Sequence, residues 1–181
     1  MPTEHEGHTA VVFSNDLVVI SGKENAKCDA YDITAGNWYS FGSLSEPRYD
    51  ATAAVTGEKI YVIGGKLSNG DFAETIEFFS KDEEWQLTTI AFSISQACSV
   101  ANEDQIFIFG GERPKVGEQD EIFIFDPAIS MVTESGSTGV RGDFSSYAMF
   151  IKGAEGYVYS ADGELTVYHE DSGTFTRQVT N

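Results

Sequence analysis

One phrase, written four times along 181 residues, constrains this chain more than any other feature: an apolar strand ending in two small residues, a second apolar strand, then a large side chain. The first strand runs from Leu17 to Gly22, Ile60 to Gly65, Ile106 to Gly111 and, more faintly, Gly156 to Ala161. The second ends at Tyr31, Phe79, Phe125 and Tyr168, and the closing residues are Trp38, Trp85, Val132 and Phe175, at intervals of 47, 47 and 43. A period of this size marks a repeat architecture, in which each unit buries its apolar faces against its neighbours.

Within each unit the apolar runs are short, rich in Val, Ile, Phe and Tyr, and bounded by turn chemistry such as Ser14-Asn15-Asp16, Thr56-Gly57-Glu58 and Asn102-Glu103-Asp104. This predicts a meander of short antiparallel strands. The strands before the glycine pairs are apolar at consecutive positions, which suits a sheet covered on both faces. The glycines permit backbone conformations and close approaches that a side chain would block. No stretch of ten or more residues carries a helical period. Strand-only content with paired glycines points to the blades of a propeller.

The Gly64-Gly65 and Gly110-Gly111 pairs, the later aromatic and Trp, and the Pro47-Arg48 opening of the second unit resemble kelch repeats, whose period is about 50. The resemblance extends from about Gly7 to Val179 and is fullest in the second repeat, where Arg48, Ile60 to Gly65 and Trp85 all stand in place. The third repeat has Val132 where Trp is expected, the first has Ser21-Gly22, and the fourth has Ser160-Ala161. The resemblance implies an all-β, kelch-type β-propeller or partial propeller of four blades, each of four antiparallel strands. It also implies a single domain over 1–181, with repeats near 7–45, 46–93, 94–140 and 141–181. Kelch propellers usually hold more blades and lock the ring by building one blade from both chain ends. Neither feature is expected here, because the chain opens on an inner-strand segment (Gly7 to Phe13) and closes on an outer-strand segment (Phe175 to Val179). Three arrangements fit: a piece of a longer protein, a ring completed by another chain (a homo- or hetero-oligomer), or a tight four-bladed ring. An open arc would expose two apolar lateral faces.

Charge excludes some partners. Eleven basic against 29 acidic side chains give a net charge of −18, spread along the chain. Nucleic acid and anionic membranes are not expected partners, since binding phosphate needs basic surface. The acidity serves solubility or a partner with a basic surface. The apolar runs fall far below the roughly 20 residues of a membrane span, so no membrane segment is expected. The first residues, Met1 to Glu6, hold no basic segment before an apolar core, so no secretory signal is expected. Cys28 and Cys98 stand 70 apart in strands of different repeats and read as reduced, buried thiols of a cytoplasmic protein.

Kelch proteins usually bind partners through loops at one rim. By position the resemblance implies the segments Lys66 to Thr75, Glu112 to Glu121, Gly42 to Arg48, Thr89 to Ser95 and Ser135 to Asp143. The candidate partner-binding residues are Phe72, an apolar side chain at a loop tip, Arg113 and Lys115, a basic spot on an acidic chain, and Arg48 and Arg141. The two arginines take the same place in their repeats and either flank a central channel or pair with blade carboxylates such as Asp50 or Asp143.

No catalytic residue, cofactor or metal site is expected. His5, His8 and His169 lack metal-ligand spacing, and the cysteines do not cluster with them. Arg141-Gly142-Asp143 matches an adhesion tripeptide but falls where a repeat begins. No phosphate loop, serine elbow or catalytic carboxylate pair stands out. Kelch-bearing copper oxidases and sialic acid isomerases need residue sets and a complete ring that nothing here assembles. The leading expectation is a non-enzymatic interaction module using rim loops. The alternative is a structural subunit whose open blade edges pair with another chain; an oxidase or sugar isomerase comes third.

Overall fold

A computed structural model describes residues 3–139, 141–142, 148–152, 155–159, 164–169 and 174–179. Every regular element in it is a β-strand. The chain divides into two compact units, 1–95 and 96–181.

The first unit holds two blades. The first is a four-stranded antiparallel meander of β1 (Thr9–Phe13), β2 (Asp16–Ile20), β3 (Lys27–Asp32) and β4 (Asn37–Ser43). The second is built from β6 (Thr52–Thr56), β7 (Lys59–Ile63), β9 (Thr75–Ser80) and β10 (Glu83–Ala91). A small ladder pairs β5 (Arg48–Tyr49) with β8 (Lys66–Leu67). The second unit holds the blade β11 (Cys98–Ala101), β12 (Ile106–Phe109), β15 (Glu121–Asp126) and β16 (Met131–Ser137), with a hairpin of β13 (Glu112–Arg113) and β14 (Gly117–Glu118). Its other blade is β17 (Ala148–Lys152), β18 (Glu155–Tyr159), β19 (Glu164–His169) and β20 (Thr174–Val179). The expected four blades of four antiparallel strands are therefore present, without a closed barrel.

The pairing register recurs in the first, third and fourth repeats, where Tyr31 lies opposite Trp38, Phe125 opposite Val132 and Tyr168 opposite Phe175, while in the second a register shift between Glu83 and Gln86 interrupts the ladder at Trp85. Side chains close the turns: Asp32 accepts from the N–H groups of Thr34 and Ala35 at 2.8 and 2.7 Å, and Asp126 accepts from Ala128 at 2.9 Å. In the second and third blades the second strands are buried throughout, Ile60 to Ile63 and Ile106 to Phe109, whereas Leu17 in the first is half-buried and Tyr159 in the fourth is exposed. In the first unit Phe13, Val18, Ile20, Cys28 and Ala30 of the first blade pack on Ile60 and Val62 of the second. In the second unit Phe107, Phe109 and Ile122 form a cluster that Met149 of β17 joins.

The small-residue pairs act as predicted. Gly64 and Gly65 sit at φ of +63° and +92°, and a Cβ on Gly64 would fall on the Ile94 carbonyl oxygen. The Gly65 N–H donates to that oxygen at 2.7 Å. Ser21 holds the corresponding place at φ +55° despite its side chain, and its Oγ compensates by donating to Asn25 O and accepting from the Arg48 N–H.

Candidate functional site

In the first three blades the turn after the second strand leaves a buried carbonyl that needs a donor, and each blade supplies a different one. In the second blade Arg48, entering through β5, donates from Nη1 to Gly64 O at 3.3 Å and Thr75 O at 3.1 Å. Its Nη2 donates to Thr75 Oγ1 at 3.0 Å and Glu77 Oε1 at 2.6 Å. Glu77 also accepts from the backbone N–H and hydroxyl of Ser45, each at 2.9 Å. Both charged side chains are sealed, at 0% and 1% exposure. Arg48 therefore does not stand open to a partner; the carboxylate-pairing expectation holds, with Glu77 and not Asp50 as the partner.

In the first blade His5 does the same work. It stands four residues before the first residue of β1, as Arg48 stands four before β6, and Thr9 and Thr52 face equivalent partners, Ile20 and Ile63. Its Nδ1 lies 2.7 Å from Ser21 O and its Nε2 lies 3.1 Å from Asp29 Oδ2. Asp29 faces Val19 as Glu77 faces Val62. Burial pushes the Asp29 carboxyl up, but hydrogen bonds from His5 and Thr3 and the His5 charge outweigh it, leaving the group below the usual carboxylate range. In the third blade Gln119 takes over, its Nε2 donating to Gly110 O at 3.2 Å. The third repeat carries Ile94 and Phe123 at the positions of Arg48 and Glu77.

The accessible chemistry of the first unit lies on its loops. Phe72 forms a backbone bridge to Lys66, whose Nζ sits 5.2 Å from the Phe72 ring centroid. Lys66 is opposite Tyr49 in the β5–β8 ladder, and Lys23 Nζ lies 5.7 Å from the Tyr49 ring. Lys23, Tyr49, Lys66 and Phe72 thus make an alternating row of cations and aromatics, all half-buried. The loop beneath is braced: Leu67 N–H donates to Asp71 O at 2.8 Å, Asn69 Nδ2 to Asp71 Oδ2 at 2.7 Å, and the Ser68 hydroxyl to Lys23 O. Sequence reasoning found Phe72 but missed Lys23 and Tyr49. The signal was present, since Lys23 follows Ser21-Gly22 as Lys66 follows Gly64-Gly65.

In the second unit Arg113 lies over the Phe123 ring at 5.1 Å, so its guanidinium is held against the blade. Lys115 is exposed at the hairpin tip, at φ +66°, beside the exposed Val116. Arg141 is exposed and its Nε donates to Asp120 at 3.2 Å. The Ser137 hydroxyl, with Arg141 beside it, holds the Asp120 carboxyl below its ordinary range. Beside Arg141, the Gly111 N–H donates to Gly142 O as the Gly65 N–H donates to Ile94 O. Asp143, the other expected partner of Arg141, lies outside the described residues. Among the described residues no three His, Cys, Asp or Glu side chains converge on a metal position, and no helix is long and apolar enough to cross a membrane.

The kelch motif, as a family pattern, matches residues 47–85. The chain is 29% identical over 121 residues to a kelch repeat protein of Myxoma virus, M-T8, covering 64% of this chain and 24% of that protein. It is 27% identical over 141 residues to Kelch-like protein 35 of Mus musculus, covering 72% of this chain and 23% of that protein. Beta-scruin of Limulus polyphemus is 27% identical over 123 residues, 62% of this chain and 13% of its own length. The chain thus spans about a quarter or less of these relatives. The similarities support a protein-interaction or structural role. Four meander blades, left-handed glycine pairs at the strand ends and the motif match over the second repeat together support the chain's similarity to kelch-repeat proteins.

Proposed function

We propose that the chain is a non-enzymatic protein-interaction module whose blades hold rim loops rigid for contact with a partner protein. The observation that carries this reading is the row Lys23, Tyr49, Lys66 and Phe72, where strand pairing and loop hydrogen bonds fix two cations and two aromatic rings in advance. Preorganised side chains lose less freedom on association, and aromatic anchors suit interface centres. In the second unit Arg113 and Lys115 supply the rim contact, with Arg141 on its edge. The fully sealed Arg48 supports the second blade from within. Free thiols at Cys28 and Cys98 fit a reducing compartment, the cytoplasm.

A second reading, a structural subunit, rests on the outer face of the first blade. In the second blade the face bearing Val55, Ile60, Val62 and Phe79 packs on the first blade. The corresponding face of the first blade keeps Val12 61% exposed, with Leu17, Tyr31 and Trp38 half-buried. Another sheet, from this protein or a second one, would cover it.

The test is partner recovery through a tagged chain in its own cells, compared between wild type and a Lys66→Ala/Phe72→Ala variant with an unchanged unfolding transition. At least a tenfold loss of the recovered protein is expected. Undiminished recovery would refute the rim reading.

A further inference from the structure

Apart from the row at Lys23 to Phe72, the outer strands of the first unit bound a cleft of about 310 Å³. Its wall is aromatic. Phe41 and Phe79 stand 4.4 Å apart between centroids at 48°, and Phe79 and Trp85 5.6 Å apart at 50°. Trp85 approaches because Gly42 has no side chain: a Cβ there would come within 3.2 Å of the indole. The indole N–H is already spent, donating to Phe41 O at 3.2 Å, so what Trp85 offers the cleft is its π face. Glu84 adds an exposed carboxylate and Ser43 a polar edge.

Elsewhere five rings of this chain carry one of its own cations. Lys23, Lys59, Lys66, Lys81 and Arg113 lie over Tyr49, Phe78, Phe72, Phe13 and Phe123, at 4.6 to 5.8 Å. Among the described residues none is placed over Phe41, Phe79 or Trp85, although tryptophan is the best cation acceptor of the aromatic side chains. An aromatic wall with a carboxylate at its mouth, on a chain of net charge −18, is complementary to a cation supplied from outside. The volume is at the bottom of the roughly 300–1,000 Å³ of small-molecule sites, which suits one side chain better than a larger ligand. We propose that this cleft takes an arginine side chain of a partner protein, its guanidinium stacked on Trp85 and paired with Glu84.

The probe is a pentapeptide with one arginine, compared with a twin carrying citrulline, which keeps the shape and loses the charge. In a Trp38→Phe background Trp85 is the sole tryptophan and its fluorescence reports binding. The Trp85 indole N–H resonance of the unmodified chain gives the same readout should that background disturb the fold. Expected is saturable binding of the arginine peptide, at least about fivefold tighter than its citrulline twin, weakened about threefold by Glu84→Gln. Equal binding of the two peptides, no saturable change at Trp85, or full arginine affinity in the Glu84→Gln chain would each overturn the proposal.

Discussion

In the second blade a buried arginine bonds the carbonyl of a left-handed glycine and a buried glutamate; in the first, a histidine at the same repeat position bonds the carbonyl of a left-handed serine and a buried aspartate. The backbone requirement is common to both, a carbonyl turned inward where water does not reach. The donor is not, and the third blade shows that it need not carry charge, since Gln119 meets the same carbonyl while Phe123 replaces the carboxylate. The comparison teaches that the carboxylate belongs to the cation. Where the entering residue is Arg48 or His5 an acid faces it, and where it is Ile94 none does.

The largest expected effect breaks the charged version of this lock. Arg48→Ala leaves Glu77 buried without its partner, and urea unfolding should show a loss of about 3–5 kcal/mol. The double substitution Arg48→Met/Glu77→Leu, towards the apolar pair of the third repeat, should recover at least half of that loss; additive losses would mean the two residues act independently. His5→Ala should cost about 2 kcal/mol, as it strands Asp29 and the Ser21 carbonyl. Asp29 titrates below its unfolded value of about 3.9, so its contribution is present above that pH and is lost as pH falls through the lower folded value. Asp29→Asn should accordingly flatten the acid limb of the stability profile below about pH 4 relative to wild type. Gln119→Ala should cost about 1 kcal/mol by the same unfolding measurement. The smallest signal is chemical: burial pushes both thiols up to about 12, so Cys28 and Cys98 should resist a thiol-specific disulfide reagent at pH 8 until the chain is unfolded.

The repeat was legible because strands and turns repeat their chemistry. Tyr31, Phe125 and Tyr168 fall near the ends of third strands, opposite the predicted closing residues, and Gly64-Gly65 adopts the left-handed backbone that glycine allows. The locks were less legible. Glu77 sits in an otherwise apolar strand, Thr75-Ile76-Glu77-Phe78-Phe79, and its partner lies 29 residues away across a loop, so nearby Asp50 looked the better acceptor. The equivalence of His5 and Arg48 is written in His5-Glu6-Gly7-His8-Thr9-Ala10 beside Arg48-Tyr49-Asp50-Ala51-Thr52-Ala53, but only the shared Thr-Ala marks it. The cation–aromatic row escaped sequence reasoning since its members come from three segments joined by the β5–β8 pairing and the Ser68 contact.

The most direct test of the rim assignment is photo-crosslinking in the protein's own cells, with benzoylphenylalanine placed at Phe72 on the rim, Val12 on the outer face of the first blade, or Gln86 on the outer strand. The account predicts a discrete partner adduct from Phe72 that is absent from Val12. An adduct from Val12 with none from Phe72 would contradict it and make the open blade face the working surface of this protein.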